Sequence, residues 1–264
     1  MFSSSVLLSA ALLSLANAHG VIFNAQGEAG SPASVGFQVN DSIARNCTGI
    51  SPCQQDTTLI RDAEIAANIV NECGRTELTG NIDVGANTEA AIAAGAVTTV
   101  QSGTQMTVTI HQVNADGAGP YSCDLDEGSN TGVLAQQLTV TNNVPGVNGL
   151  SQATATDFNV TVAMPADFTC TGGSTGNVCT VRCRNAAVAG PFGGCFPVQQ
   201  VGAAAATTGA TAATAAAATG KAATGKGAAA KAATGAAAKA AAGAATKAGK
   251  NANKRGLGLG FESS

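Results

Sequence analysis

Hydrophobic and polar residues alternate along much of the chain before residue 202, as expected for β-strands with one buried face. The clearest run covers residues 105–113, where Val108 and Ile110 share one face and His111 lies on the other. Similar runs cover residues 34–39, 96–100, 134–140, 158–164 and 178–183. The pattern therefore predicts a domain built mainly from short strands.

Turn-forming pairs separate these runs and set the predicted fold class. A partial stripe of isoleucine and alanine predicts one helix over residues 58–73. Many short strands with frequent turns are typical of an all-β fold, here an antiparallel β-sandwich of immunoglobulin or fibronectin type with loop insertions. A β-barrel is the alternative. The turn pairs are Ser102-Gly103, Asp116-Gly117, Asn148-Gly149 and Gly172-Gly173.

The first eighteen residues resemble a leader. An apolar run rich in Val, Leu and Ala ends in Ala16-Asn17-Ala18, a small-x-small cleavage site. Residues 1–18 are therefore predicted to be a signal peptide, and the protein to be secreted and extracellular or cell-wall associated. Cleavage after Ala18 would make His19 the first residue of a domain spanning residues 19–201. No other segment is long and apolar enough to predict a membrane span.

Residues 202–264 differ from the domain in composition and charge. They are rich in Ala, Gly, Thr and Lys and hold all seven lysines and Arg255 against Glu262, so their net charge is +7. Residues 19–201 carry five arginines against fifteen acidic residues, a net charge of −10. The tail has too few large apolar residues to predict a packed core, so we expect it to be disordered. It could hold the protein on an anionic wall polymer, or serve only as a solubilising repeat.

The composition also bears on partners. The acidic domain is poor in aromatic residues for base stacking, so a basic tail alone does not predict nucleic-acid binding. We expect a monomer.

The eight cysteines agree with export. An even number in a secreted chain predicts up to four disulfides, whose pairing the sequence leaves open. Zinc binding is the alternative, but the spacing lacks paired C-x-x-C motifs. Three N-x-Ser/Thr sequons, at Asn40, Asn46 and Asn159, are candidate glycosylation sites. The cysteines are Cys47, Cys53, Cys73, Cys123, Cys170, Cys179, Cys183 and Cys195.

His19 and His111 are the only histidines. A histidine at a new N-terminus offers a metal its α-amine and its ring Nδ1, and a second imidazole gives a third nitrogen. That set is the copper site called a histidine brace, and nitrogen donors in a tetragonal arrangement suit Cu(II). We expect one copper ion on these residues. The alternative is that His19 is first by chance and His111 is an ordinary polar strand residue.

Three segments resemble a known group of proteins. The start His19-Gly20, residues 111–123 (HQVNADGAGPYSC) and residues 189–200 (AGPFGGCFPVQQ) are similar to secreted fungal proteins of the appressorium-associated Mas/Gas type. This resemblance covers residues 1–201 and implies a virulence-associated cell-surface protein. More distantly, the layout resembles lytic polysaccharide monooxygenases. That likeness implies a β-sandwich with copper held by His19 and His111, lined by Phe192, that cleaves glycosidic bonds oxidatively.

The chain departs from the monooxygenase pattern near the axial position. Cellulose-active fungal members usually carry a Gln two residues before a Tyr, and here the residues are Gly190 and Phe192. The change preserves a copper site but removes a hydrogen-bonding group expected to position the oxygen species. Two hypotheses follow. One is a copper-dependent monooxygenase acting on chitin, glucan, cellulose or pectin; the other is a non-enzymatic cell-surface, adhesion or copper-binding virulence protein.

Three glutamines and one tyrosine bear on that choice. A position of Gln112, Gln199 or Gln200 near the copper would favour the enzyme, and apolar surroundings would favour the second hypothesis. Tyr121, the only tyrosine, could stack on glycan or pack beneath the loop after His111.

Other catalytic motifs are weaker. Residues 172–176 satisfy G-x-S-x-G, but no histidine follows, so the string predicts a turn. The acidic residues near His111 could form a glycosidase pair or a calcium loop, although a solvated surface is the commoner outcome. These are Asp116, Asp124, Asp126 and Glu127.

Overall fold

The computed structural model describes residues 19–202, so the predicted leader and tail lie outside the described residues. Within that range, no helix is long and apolar enough to cross a membrane. The helices are α1 (Asp62–Ala66) and α2 (Val84–Ala93), with a 3₁₀ turn at Ala115–Gly117. The strands are β1 (Gly20–Gln26), β2 (Thr58–Leu59), β3 (Arg75–Thr76), β4 (Gly80–Asn81), β5 (Thr98–Val100), β6 (Gln105–Gln112), β7 (Ser122–Asp126), β8 (Gln136–Thr141), β9 (Thr156–Ala163), β10 (Val178–Arg184) and β11 (Phe192–Gln200).

Seven strands form a closed barrel in the order β1-β6-β9-β8-β7-β10-β11, and β11 returns to β1. Neighbours are antiparallel except β1 and β11, which run parallel with Val21 opposite Gly193. The all-β class is confirmed, whereas the immunoglobulin- or fibronectin-like sandwich is wrong. Alternation indicates which segments are strands but not which strands pair. Here the pairing of β1 with β11 closes the sheet and removes its free edges.

The predicted alternation of β6 is confirmed. Val108 and Ile110 are fully buried in the barrel interior, where Val160 and Val162 of β9 pack with them. His111 therefore lies on the outer side of the barrel wall, because successive side chains of a strand point to opposite faces.

The outer face of β1 and β6 is covered by a loop layer, defined here as residues 36–57. Cys53 in this layer packs against Val21 and Val113, next to the strand positions that carry the histidines. The strand predicted at residues 34–39 is wrong, since only an isolated bridge joins Ser34 to Ala25. The layer explains how a side chain outside the barrel can still be buried.

The single helix predicted over residues 58–73 is also wrong. Its first residues form β2, and only Asp62–Ala66 is helical. A longer helix, Val84–Ala93, begins instead at Asp83, whose side chain accepts a hydrogen bond from the Ala86 amide. That N-cap stabilises the first turn.

All eight cysteines are paired, as predicted for a disulfide framework. The bond between residues 73 and 195 joins the chain segment after α1 to β11, and the one between residues 123 and 183 crosses neighbouring strands. No free cysteine occurs in the described range, so zinc binding by thiolates is excluded there. The pairs are Cys47–Cys53, Cys73–Cys195, Cys123–Cys183 and Cys170–Cys179.

Candidate metal centre

The two histidines are neighbours on adjacent strands. His19 directly precedes β1, and its carbonyl oxygen accepts a hydrogen bond from the Val113 amide at 2.9 Å. Two residues later, Val21 pairs with His111 of β6. Residues two apart on a strand share a face, so His19 and His111 are diagonal neighbours outside the barrel wall, with Cα atoms about 7–8 Å apart.

Each histidine has one buried ring nitrogen without a hydrogen-bond partner among residues 19–202: Nδ1 of His19 and Nε2 of His111. The rings are 5% and 2% exposed, so water does not reach these atoms freely. An unpaired buried polar atom costs about 1–3 kcal/mol of stability. Two such nitrogens on one face have the donor chemistry that copper requires.

Asp157 fixes the orientation of the His111 ring. The two residues pair directly across β6 and β9, and Nδ1 of His111 lies 2.6 Å from Oδ1 of Asp157. In the neutral ring Nδ1 therefore carries the hydrogen and donates it to the carboxylate. Nε2 then keeps its lone pair for a metal.

The backbone nitrogen of His19 is also held. It donates a hydrogen bond to Oδ1 of Asn114 at 2.9 Å. In the full-length chain this nitrogen is in peptide linkage with Ala18, so it has no lone pair to give to a metal. Cleavage after Ala18 would turn it into an amine.

Phe192 lies beside His19, with ring centroids 4.9 Å apart and planes tilted by 45°. Asn185 holds this end of β11, since its Oδ1 accepts a hydrogen bond from the Phe192 amide at 2.9 Å. The Nδ2 of Asn185 donates to the carbonyl oxygens of Asp116 and Ala118. The buried asparagine thus ties the phenylalanine to the loop that follows β6.

Burial lowers the pKa of the His19 imidazole from 6.5 to about 4, and the charge of Asp56 offsets part of this effect. Asp56 is fully buried and forms an ion pair with Arg45 at 2.5 Å. The His19 ring is therefore neutral at neutral and mildly acidic pH. A neutral ring is the form that binds a metal.

Side chains alone do not make a larger metal site here. Residues 19–202 contain no group of three or more His, Cys, Asp or Glu side chains that could hold a metal ion. A histidine brace uses only two imidazoles, because its third nitrogen is an α-amine.

None of the three glutamines is placed beside the histidines. The Nε2 of Gln112 donates to Oγ of Ser151 and to the carbonyl oxygen of Ala153, on the face opposite His111. Gln199 and Gln200 end β11, eight residues or so from Phe192, and bond to residues near that end. The groups that contact the histidines are both apolar, as with the ring of Phe192, and polar, as with Asp157 and Asn114.

Tyr121 packs beneath the loop after β6. It is 3% exposed, and its hydroxyl donates to the carbonyl oxygen of Gly117. Burial raises its pKa. Tyr121 therefore packs beneath the loop after His111, the second of the two predicted roles, and its burial excludes stacking on glycan.

The remaining candidates have separate roles. Residues 172–176 form a turn, in which the Gly176 amide donates to the carbonyl oxygen of Gly173. The four acidic residues do not form a common site. Asp124 forms an ion pair with Arg182, and Glu127 accepts a hydrogen bond from Gln136. Asp126 accepts hydrogen bonds from amides of its own loop, and burial raises the pKa of Asp116.

Among the candidate glycosylation sites, Asn46 and Asn159 are exposed and Asn40 is half-buried.

Sequence reasoning missed Asn114, Asp157 and Asn185. Asp157 precedes a predicted strand, so its place beside His111 would follow once the register of β6 and β9 was known. Asn114 and Asn185 lie in loops, where periodicity gives no signal.

Residues 17–193 match the sequence profile of a family described as Egh16-like virulence factor. Two relatives come from Pyricularia oryzae strain 70-15. The appressoria-specific virulence factor GAS1 is 38% identical over 203 residues, covering 74% of this chain and 78% of its own length. The appressoria-specific virulence factor GAS2 is 32% identical over 264 residues, covering 77% and 90%. These matches confirm the resemblance to the appressorium-associated type. No solved structure matches the chain significantly.

Proposed function

The chain belongs to the Egh16-like virulence factor family, and we propose that it is an extracellular or surface virulence protein that binds one copper ion through His19 and His111. The observation that carries the proposal is the pair of buried ring nitrogens, Nδ1 of His19 and Nε2 of His111, which have no partner among the described residues. Both imidazoles have the lone-pair nitrogen that would hold the ion.

The third nitrogen is the α-amine that cleavage after Ala18 would create. Two imidazoles and one amine suit Cu(II), which favours nitrogen donors in tetragonal geometry. The proposal therefore couples metal binding to processing: the unprocessed chain has two of the three ligands.

Asp157 and Phe192 complete the immediate surroundings. Asp157 holds Nδ1 of His111, the outer-shell arrangement common among metal-binding histidines. Phe192 stands against His19 and excludes water from that side. Copper bound there would supply one-electron redox chemistry. Gln112, Gln199 and Gln200 bond to other parts of the domain, which favours a protein that holds copper over an enzyme.

Oxidative cleavage of glycan is the second candidate function. The observation favouring it is the contact of Phe192 with His19, because an aromatic residue near the metal is part of the monooxygenase likeness. The exposed large apolar side chains of residues 19–202 are all aliphatic, so stacking on crystalline glycan is not supported. A soluble or amorphous chain of chitin, glucan or cellulose suits this surface better.

Acidic glycan suits the domain poorly. Each of its five arginines is in an ion pair with an acidic side chain, and residues 19–201 carry a net charge of −10. Pectin would then meet repulsion from the domain, and any affinity for it would reside in the basic tail.

The relatives suggest where the protein acts. GAS1 and GAS2 are named as appressoria-specific virulence factors. We propose that this chain likewise serves at the surface of a fungal infection structure, where it is exported by its predicted leader.

Copper titration of protein beginning at His19 tests the proposal. We expect one Cu(II) per chain, with an electron paramagnetic resonance signal typical of nitrogen ligands. His19→Ala and His111→Ala should each abolish this signal. Thr109→Ala is a matched control, because Thr109 lies on the same face of β6 two residues from His111 and its hydroxyl donates to Oδ1 of Asn159. Copper binding equal to wild type in both histidine variants would refute the proposal.

Incubation of the copper-loaded protein with a reductant and each glycan separates the two functions. Oxidised oligosaccharides that disappear in His111→Ala would establish catalysis. Tight copper binding without products on any of the glycans would leave copper binding as the function.

A further inference from the structure

We infer that Asn114 is a positioning residue for the α-amine of His19, an inference that rests on the proposed copper function. Oδ1 of Asn114 accepts a hydrogen bond from the His19 nitrogen at 2.9 Å. Asn114 lies within residues 111–123, which carry the family resemblance, but that resemblance assigns it no role. Through this contact Asn114 would orient the α-amine, the one proposed copper ligand that is not a side-chain atom.

Asn114 is itself held in place by two bonds to its backbone. Its carbonyl oxygen accepts hydrogen bonds from the Gly117 amide at 3.0 Å and from Nε2 of Gln112 at 3.1 Å. Gln112 is fully buried, so this bond comes from the barrel wall rather than from a mobile surface group. A residue whose backbone is held in this way offers its side chain from a fixed position.

The turn after Asn114 also presses against His19. A Cβ atom built on Gly117 would lie 2.2 Å from the carbonyl oxygen of His19, so the two backbones are in close contact. His19, the residue before β1, is thereby held by Asn114 at its nitrogen and by Gly117 and Val113 at its carbonyl. Chain termini usually fray, and this one is tied down.

The chemistry of this hydrogen bond explains how it would position the amine. The amide oxygen of Asn114 can only accept a hydrogen bond, so it binds one N–H of the terminal nitrogen. In a neutral amine this leaves one N–H and the lone pair for other partners. A peptide N–H makes the same bond, so the contact exists before Ala18 is removed. Cleavage then produces a ligand that is already in position, which lowers the entropy lost on metal binding.

A double-mutant cycle separates positioning from stability. Four proteins are compared: chains beginning at His19 or at Ala18, each with Asn114 or with Asn114→Ala. The Cu(II) dissociation constant is measured by competition with a chelator, and the electron paramagnetic resonance spectrum is recorded for each. Thermal unfolding of the metal-free proteins monitors the fold.

In chains beginning at His19, Asn114→Ala should weaken copper binding by about 10–100-fold and change the spectrum. In chains beginning at Ala18 the amine ligand is displaced, so Asn114→Ala should leave the weaker copper affinity unchanged. The non-additive result is the signature of a contact that acts through the amine. Asn87→Ala, which removes a side-chain bond to the Asp83 carbonyl in α2, is the matched control and should change neither affinity.

Equal losses in both backgrounds would overturn the inference, because they would show a purely structural role. Unchanged affinity in the His19 background would overturn it as well. If Asn114→Ala fails to fold, Asn114→Ser supplies a shorter acceptor for the same comparison. Failure of the wild-type His19 chain to bind copper would instead refute the proposed function, and the inference with it.

Discussion

The hydroxyl of Tyr121 occupies the space into which any side chain at Gly20 would project: a Cβ atom there would lie 2.1 Å from the tyrosine oxygen. Tyr121 is buried and bonded to Gly117, so it has no free space to retreat into. We predict that Gly20→Ala lowers the free energy of unfolding by roughly 1–3 kcal/mol, the usual cost of overpacking. Urea unfolding measures this directly.

Two variants show whether that contact is the cause. Tyr121→Phe removes the crowding oxygen, so it should restore part of the stability lost in Gly20→Ala. Gly49→Ala should be close to neutral, since a Cβ atom there has only one neighbour, at 3.7 Å. Additive effects of the Gly20 and Tyr121 changes would contradict the assignment.

Asp157 should matter more for copper than for the fold. Its side chain is 57% exposed, yet it sets which nitrogen of His111 carries the hydrogen. We predict that Asp157→Ala weakens Cu(II) binding by about tenfold or more while the thermal midpoint changes little. Asp167→Ala, at another exposed carboxylate, is the control. An unchanged copper affinity in Asp157→Ala would show that the contact is incidental.

The metal-free protein should lose stability as the pH falls through the range set by His19. The folded ring has a pKa of about 4, whereas the unfolded ring titrates near 6.5. Between these values the unfolded chain binds a proton that the folded chain excludes, so the free energy of unfolding rises with pH. Above about pH 6.5 this contribution is complete. Its size is on the order of 3 kcal/mol.

Urea unfolding at a series of pH values checks this prediction. The difference in stability between wild type and His19→Gln should grow from about pH 4 to about pH 6.5 and then level off. Parallel curves for the two proteins across that range would mean that the ring is protonated in the folded state.

The disulfides should contribute unequally. Cys73–Cys195 closes a segment of 122 residues and Cys47–Cys53 one of six. Loop-closure entropy then predicts losses of about 5 kcal/mol for replacing the first pair by alanine and about 2 kcal/mol for the second. Denaturant midpoints of the two double variants provide the test, and a reversed order would show that native packing dominates over chain entropy.

The basic tail is expected to govern retention on acidic wall polymer. Full-length protein should bind polygalacturonate at low ionic strength and dissociate as salt is added. A chain ending at residue 202 should not bind, because the remaining domain is acidic and its arginines are in ion pairs. Column retention of the two proteins measures the effect, and equal retention would remove the tail from this role.

Alternation predicted β6, whose two faces differ, and also β10, although both of its faces are buried. In β6 the buried Val108 and Ile110 alternate with threonines, and the same pattern placed His111 on the outer face. In β1 and β11 both faces are buried, and β1 also contains a bulge between Ile22 and Asn24. Neither strand then shows a period of two, so the two strands that close the barrel were missed and a sandwich was predicted.

The residues of the candidate site also fall into those that the sequence predicts and those that it does not. His19 and His111 became candidates through residue type and the predicted leader, because histidine is rare and His19 would follow the predicted cleavage site. Asn114 and Asp157 could not, since their roles depend on strand register and on a loop conformation. The sequence therefore indicates the residues that would bind a metal, whereas the residues that orient them are determined by the tertiary structure.

The closure of the barrel has a consequence for biosynthesis. Val21, near the start of the described residues, pairs with Gly193 near their end, so the first strand gains its last neighbour only when the final strand has been made. Contacts of such high sequence separation form late, after the costly ordering of the chain between them. The leader lies at the early end of this pairing. We expect the metal site to exist only once β11 has been made and has paired with β1.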